Sequence, residues 1–271
     1  MERSSPHSPI TSKDNRLIKQ LRSLSDPQVR RQEKVFTIEG VKMVEEALRD
    51  RAGVKQVIAS PSLTRHHGRG IIKLAEEAGI DLLWISDRLM DSVAESKTPQ
   101  PVLALVDMRE QSEDSLLDHP ARLIVVCHQL QDPGNLGTII RTAEAAGASG
   151  VAITQHTVDA YHPKTVRASM GSILRLPVAR LTDINLFLGK CSKKGFQTAA
   201  LVLGGSTTHF ALDLTKPTAV ILGQEGSGLE ERVLKDVQHR VRIPMAETID
   251  SLNVATSAAV ILYEALRQRM Q

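Results

Sequence analysis

The sequence predicts an α/β protein built as two successive layered units. Short apolar runs rich in Val and Ile alternate with helical patterns through both halves of the 271-residue chain, which is how a sheet covered by helices reads. An acidic, polar stretch at 111–119, stopped by Pro120, separates the halves and is expected to be a linker. Beyond it, Leu123–Val126 is continuously apolar, as a strand of a parallel sheet buried on both faces requires. These rules alone lead to an ordinary doubly wound sheet in the second unit.

Residues 1–14 are Ser-rich and lack periodicity, so a disordered lead is expected. From Asn15 to Leu24 the apolar Leu17, Ile18, Leu21 and Leu24 share one helical face. Arg16, Lys19 and Arg22 belong to the polar remainder, giving a short basic amphipathic helix. Strands are expected at 36–40, 54–59, 82–85 and 102–106, with helices at 41–49, 71–78 and 87–94 between them. The first unit then spans 15–110 and the second 120–271. In the second, strands are expected at 123–126, 151–154, 176–178, 198–203, 219–222 and 241–243. A helix opens near Asn135 and ends at Gly147, and another covers 183–195. Lys164–Ser172 reads as a basic loop or short helix. The stretch from Val254 to Arg267 is a final helix, with Ser251 and Asn253 at its start, where short polar side chains cap.

Composition narrows the function classes. No apolar run approaches the ~20 residues that a membrane span needs, and the N-terminus lacks the apolar core of a secretory signal. The chain is therefore expected in the cytoplasm. Two cysteines, Cys127 and Cys191, imply no disulfide scaffold. No Cys/His group has metal-ligand spacing, and His66-His67 in a Gly/Arg-rich loop reads as solvated, so no metal is expected. Charge is uneven: residues 1–34 carry eight basic against four acidic side chains, and residues 122–194 carry nine against four. Two such zones point to a polyanionic partner. Aromatics are only 3% of the chain, so phosphate contacts rather than base stacking must dominate binding.

Three loops follow strand ends: Asp132–Arg141, Gly223–Leu229 and Pro244–Asn253. Ligands of open parallel sheets bind beyond the carboxyl ends of strands, so the three are expected to share one site. The run LGQEGSG at 222–228 is neither a Walker loop nor GxGxxG. Its Glu225 would repel phosphate, and so suits a cationic or neutral ligand better than a nucleotide triphosphate.

Together, NLGTIIRTA (135–143), ILGQEGSGL (221–229) and IPMAETIDSLNVATSAAVILYE (243–264) resemble, in order and spacing, the three motifs of the SpoU (TrmH-type) RNA 2′-O-ribose methyltransferases of the SPOUT superfamily. FTIEGVKMVEEAL (36–48) more weakly resembles that family's L30e-like substrate-binding domain. The resemblance implies a trefoil-knotted SPOUT methyltransferase domain preceded by a small L30e-like α/β domain, and a homodimer acting on RNA, ribosomal RNA first and tRNA second. It implies S-adenosylmethionine as cofactor, held by Leu203, Gly204, Leu222, Gly223, Ile243, Met245 and Leu252. Catalysis falls by similarity on Asn135, Arg141, Glu225, Ser251 and Asn253, and RNA contacts on Lys164, Arg167 and Ser169 beside the basic Arg16, Lys19 and Arg22. The family proposal makes Arg141 a general base. A guanidinium with a pKa above ~12 is better suited to stabilising a developing alkoxide or binding the adjacent phosphate. Glu225 is expected to orient Arg141 or to sit near the sulfonium. Two other classes fit the chain less well. A noncatalytic RNA-binding or ribosome-assembly factor would not need Asn135, Arg141, Glu225 and Asn253 intact. A nucleotide-dependent α/β enzyme would carry a phosphate loop.

Overall fold

The computed structural model describes residues 5–65, 68–96, 98–248 and 250–270; His66-His67 and the first four residues of the lead lie outside them. Contacts divide the chain into two units, one running to Arg109 and taking in Tyr161–Arg167, the other formed by Glu110–Ala160 and Ala168 onward.

The first unit opens with α1 (Arg16–Ser23), started by the Asn15 side chain, which accepts from Leu17 N at 2.9 Å. Leu17, Ile18, Leu21 and Leu24 are buried, while Arg16, Lys19 and Arg22 are exposed. A helix not anticipated above, α2 (Pro27–Glu33), follows Asp26 as cap and Pro27 in its first turn, a start signal that its short length hid. There follow β1 (Val35–Glu39), α3 (Val41–Arg49), β2 (Val54–Ala59), α4 (Arg69–Glu77), β3 (Leu82–Trp84), α5 (Asp87–Val93) and β4 (Val102–Asp107). Among the described residues the strands form one sheet, in the order β1-β4-β2-β3, with only β2 and β3 parallel. The expected disordered lead is ordered in part. Ile10 bridges to Ile85 and packs on the cluster that holds Leu21 and Met90, because an apolar side chain beside an open strand end gains burial and backbone partners together.

The second unit starts earlier than expected. β5 (Glu110–Gln111) pairs in parallel with a later strand, and α6 (Glu113–Leu117) buries Leu116 and Leu117 in the core. Residues 111–119 are therefore no passive linker. Two leucines anchor them, and their acids meet cations: Lys190 lies 3.0 Å from Glu113 and 3.3 Å from Asp114, and Lys194 lies 2.5 Å from Asp118. The rest runs β6 (Leu123–Cys127), α7 (Pro133–Ala145), β7 (Gly150–Ile153), α8 (Pro163–Ala168), β8 (Val178–Arg180), α9 (Ile184–Lys193), β9 (Gln197–Leu201), β10 (Thr207–Thr208), β11 (Thr218–Leu222), α10 (Glu231–Leu234), β12 (His239–Arg242) and α11 (Val254–Arg269). The first residue of α8, like the others to Arg167, groups with the first unit. β8 lies two residues beyond the expected 176–178, since Pro177 has no N–H for a ladder.

These strands make a parallel sheet in the order β10-β12-β9-β11-β6-β7-β8-β5. Every residue of the central β6 and β11 is buried, as helices on both faces demand. From β6 the chain moves outward through β7 and β8, then crosses back to β9 and returns to β11 beside β6. The strand order therefore reverses between β6 and β11, and ligands of open parallel sheets bind at the carboxyl ends near such a reversal.

Candidate functional site

Beside that reversal, at the carboxyl ends of β9, β11 and β12, lies a cavity of about 640 Å³ closed by the start of α11. That size lies within the ~300–1,000 Å³ of small-molecule sites. Leu203, Leu222, Ile243, Met245 and Leu252 give it an apolar wall, with Leu201, Leu229 and Val241 behind. Glu225, Ser227, Ser251, Asn253 and Ser257 supply polar side chains. Of the expected cofactor residues, Gly204 alone is not among the lining. It is exposed, and a Cβ there would meet nothing within 4 Å, so no close approach requires a glycine.

Gly223 has a different reason to be glycine. A Cβ on it would fall 2.5 Å from the backbone of Gly228 and 2.8 Å from Leu229. The loop folds back on itself through paired Gln224–Gly228 bonds of 3.0 and 2.9 Å, with Gly228 in the left-handed region at φ +69°. Gly223 thus shapes the loop whose backbone faces the cavity. By contrast, Gly226 has open space around it.

The polar residues form a directed chain. Asn253 caps α11: its Oδ1 accepts from Ala255 N at 2.8 Å and Thr256 N at 3.4 Å. That fixes the other end of its amide as the donor, and Asn253 Nδ2 donates to Asn135 Oδ1 at 3.0 Å. Asn135 Nδ2 in turn donates to Glu225 Oε1 at 3.1 Å. The Glu225 carboxylate also accepts from the backbone of Gln131 at 3.2 Å and Asp132 at 3.3 Å. Burial pushes the pKa of Glu225 up, but the hydrogen bonds from Asn135 and from backbone N–H groups outweigh it and hold it below the usual value. Glu225 therefore organises the loop after β6 and Asn135. Among the described residues its hydrogen bonds go to these groups and not to Arg141, so of the two expected roles only a place near the sulfonium is left open.

Asn135 does not open α7. Asp132 caps it, accepting from Asn135 N at 2.8 Å, with Pro133 in the first turn. The pair Asp132-Pro133 is a start signal legible in the sequence. Arg141 lies further along α7, exposed, and its guanidinium makes no hydrogen bond or ion pair among the described residues. Glu144, a natural partner one turn on, is taken by Arg175 through bonds of 2.6 and 3.1 Å. One expected RNA contact fails on burial: Ser169 has no exposed surface, lying between the end of α8 and the buried turn Ser172–Leu174. Lys164 and Arg167 are exposed. Among the described residues no three His, Cys, Asp or Glu side chains gather as metal ligands, and no helix is long and apolar enough to cross a membrane.

Behind the site, His128 is buried at the end of β6 with Nδ1 3.1 Å from Thr154 Oγ1. Burial, the largest influence, pushes its pKa down, so it is neutral near pH 7.

A parallel sheet with a glycine-rich loop and a capped helix at its switch point defines a ligand-binding α/β protein. Comparison with known proteins says which. The model of the SpoU rRNA methylase family matches residues 122–263, and the chain belongs to that family. An MRM3-like substrate binding domain matches residues 15–104. The chain is 37% identical to an uncharacterized tRNA/rRNA methyltransferase of Synechocystis, over 96% of this chain and 94% of the relative. It is 31% identical to the Bacillus subtilis 23S rRNA (guanosine(2553)-2′-O)-methyltransferase RlmP, over 94% and 97%. Its fold matches the AdoMet-bound rRNA methyltransferase from Sinorhizobium meliloti with a TM-score of 0.83 and 31% identity, covering 96% of this chain and 97% of that one.

Proposed function

We propose that this chain transfers a methyl group from S-adenosylmethionine to a ribose 2′-hydroxyl of RNA, ribosomal RNA being the first substrate to test. The observation that carries the reading is a guanidinium, Arg141, with no partner among the described residues, on a helix whose first turn is tied by Asn135 to the cap of the cavity wall. The cavity fits the cofactor: it has the volume, an apolar wall for an adenosine, and a lining loop that folds back on itself only because Gly223 has no side chain. Bound there, the cofactor supplies an electrophilic methyl group.

This chain's residues must bring the hydroxyl to it and draw off the charge that develops on oxygen. Arg141 binds the phosphate beside the ribose or stabilises the developing alkoxide, which lowers the effective pKa of the hydroxyl. Asn135 and Asn253 hold the two walls in register, and Ser251 offers a hydroxyl at the rim. The exposed Arg16, Lys19, Arg22, Lys164 and Arg167 provide phosphate contacts. The same reading carries a trefoil knot in the second unit, an L30e-like first unit, a homodimer and a cytoplasmic location. Resemblance of the three motifs supports the knot, the homodimer and the location, and that of FTIEGVKMVEEAL (36–48) supports the L30e-like unit.

The test is Arg141→Ala. Single-turnover methylation of ribosomal RNA from a strain deleted for the gene should fall ~10²-fold or more. Affinity for S-adenosylmethionine, read by calorimetry, should stay within about twofold. If affinity falls as far as the rate, Arg141 serves the cofactor or the fold, and the assignment fails.

A further inference from the structure

No motif draws the eye to Gln131, yet it joins three loops. Its Nε2 donates to two carbonyls, Gln129 O at 2.7 Å and His156 O at 2.8 Å. The first belongs to the loop after β6 and the second to the loop after β7. Its backbone N–H goes the other way, to Glu225 in the loop after β11. Both acceptor residues sit in left-handed backbone, Gln129 at φ +56° and His156 at φ +64°, a conformation that costs non-glycine residues energy. The surrounding bonds hold them there. Gln129 N donates to Thr157 Oγ1 at 3.0 Å and Thr154 Oγ1 at 3.2 Å, and Val158 N donates to Leu130 O at 2.8 Å. Asp132, which caps α7, and Asn135 follow directly.

We infer that Gln131 is a positioning residue for methyl transfer, resting on the function proposed above. It is not among the residues lining the cavity. It fixes where α7 begins, and so where Asn135 and Arg141 stand relative to the cavity wall. The chemistry requires a group with two N–H donors at this reach. Both acceptors are carbonyls, so one group must bring two N–H donors. Glutamate brings none and sets a carboxylate against two carbonyl oxygens, and asparagine is one methylene short. Displacement of reacting groups by about 1 Å costs ~10²-fold in rate, so a looser loop should show in turnover before it shows in stability.

The experiment compares Gln131→Met, which keeps the length and removes both donors, with Gln131→Lys, which restores donors at similar reach. For Gln131→Met we expect methylation of ribosomal RNA from a deletion strain to slow by roughly 10- to 100-fold. S-adenosylmethionine affinity should stay within about threefold, and backbone hydrogen exchange should quicken in residues 128–135 but not in β6 or β11. Gln131→Lys should recover part of the lost rate. Unchanged exchange in Gln131→Met overturns the inference alone. Loss of rate and cofactor affinity in equal proportion also overturns it, by making Gln131 part of the cofactor site. A wild-type chain that binds cofactor but transfers no methyl group overturns the proposed function and this role with it.

Discussion

At its N-terminal end α11 is capped by Asn253, an exposed neutral amide with one acceptor turned to the helix and one donor turned to Asn135. At its C-terminal end Arg269 spends a partly buried guanidinium on the carbonyls of Ala121, Arg122, Leu214 and Lys216. Gln268 adds Leu212 O and Leu214 N. These carbonyls belong to the segments entering β6 and β11, at the edge of the sheet opposite the cavity. Between the two ends, Ala255, Ala258, Ile261, Leu262 and Ala265 are buried, and the helix packs on α7. One helix thus has a charged, many-bonded end that holds the fold and a lightly bonded, solvent-reaching end that shapes the site. The difference teaches that stability and geometry are stored at opposite edges of this sheet, so they can be removed separately.

The strongest way to break that separation is Arg269→Met. Hydrogen bonds from charged donors are worth ~1.5–3 kcal/mol each, and solvent will replace part of four. Stability should fall by roughly 2–4 kcal/mol in a urea midpoint, while cofactor affinity of the folded protein stays within about twofold. A parallel loss of affinity would show that the two edges are coupled.

Gly223→Ala against Gly226→Ala tests the site edge. The first methyl meets backbone at 2.5 Å, the second meets nothing. Gly223→Ala should weaken S-adenosylmethionine binding at least tenfold and cost about 1–3 kcal/mol of stability, whereas Gly226→Ala should change binding less than about twofold. Equal effects would mean the loop is not held by its own close approach.

A finer cut is Asn253→Asp. Aspartate keeps the cap and suits the helix N-terminus, but it cannot donate to Asn135. Stability should hold within about 0.5 kcal/mol, with turnover down roughly tenfold. Retained activity would reduce the Asn253–Asn135 bond to decoration.

The smallest effect expected is with pH. Glu225 has a folded pKa held below its ordinary value of 4.5. Its contribution to the folded loop is therefore complete above the unfolded value and fades as pH falls through the lower, folded one. Cofactor affinity should not decline on its account between pH 7 and 5. A decline with a midpoint near 6, absent in Glu225→Gln, would place that carboxylate in another environment.

Much of this was legible in the residues. The apolar runs LIVV and AVIL, the stripe of α11 and the cap Asn253 are local signals, and the structure puts each where periodicity and capping chemistry say. The three loops were expected at one site because parallel strands put their ends on one edge, and the structure brings the second and third together around one cavity, tied to the first through Asn135. What stayed hidden depends on partners distant in sequence. Nothing local says that Glu225 takes the backbone of 131–132 instead of Arg141, or that Gln131 reaches a carbonyl 25 residues away. Ser169 reads as polar surface in a basic stretch, and only tertiary packing shows that it is buried. The acidic 111–119 reads as a connector because its ion-pair partners lie more than 70 residues downstream.

That last stretch decides how the molecule can be cut. β5 is a two-residue strand on the outside of β8, with Leu116 and Leu117 of α6 tucked beneath the same margin. A fragment started at residue 120 would leave the row of amide groups on Val178–Arg180 open and vacate a pocket two leucines wide. Bare strand margins with apolar surface alongside are templates for pairing between chains. Such a fragment should come out of a sizing column as ladders of self-associated species, where one begun at Glu110 keeps its hem and runs as a defined particle.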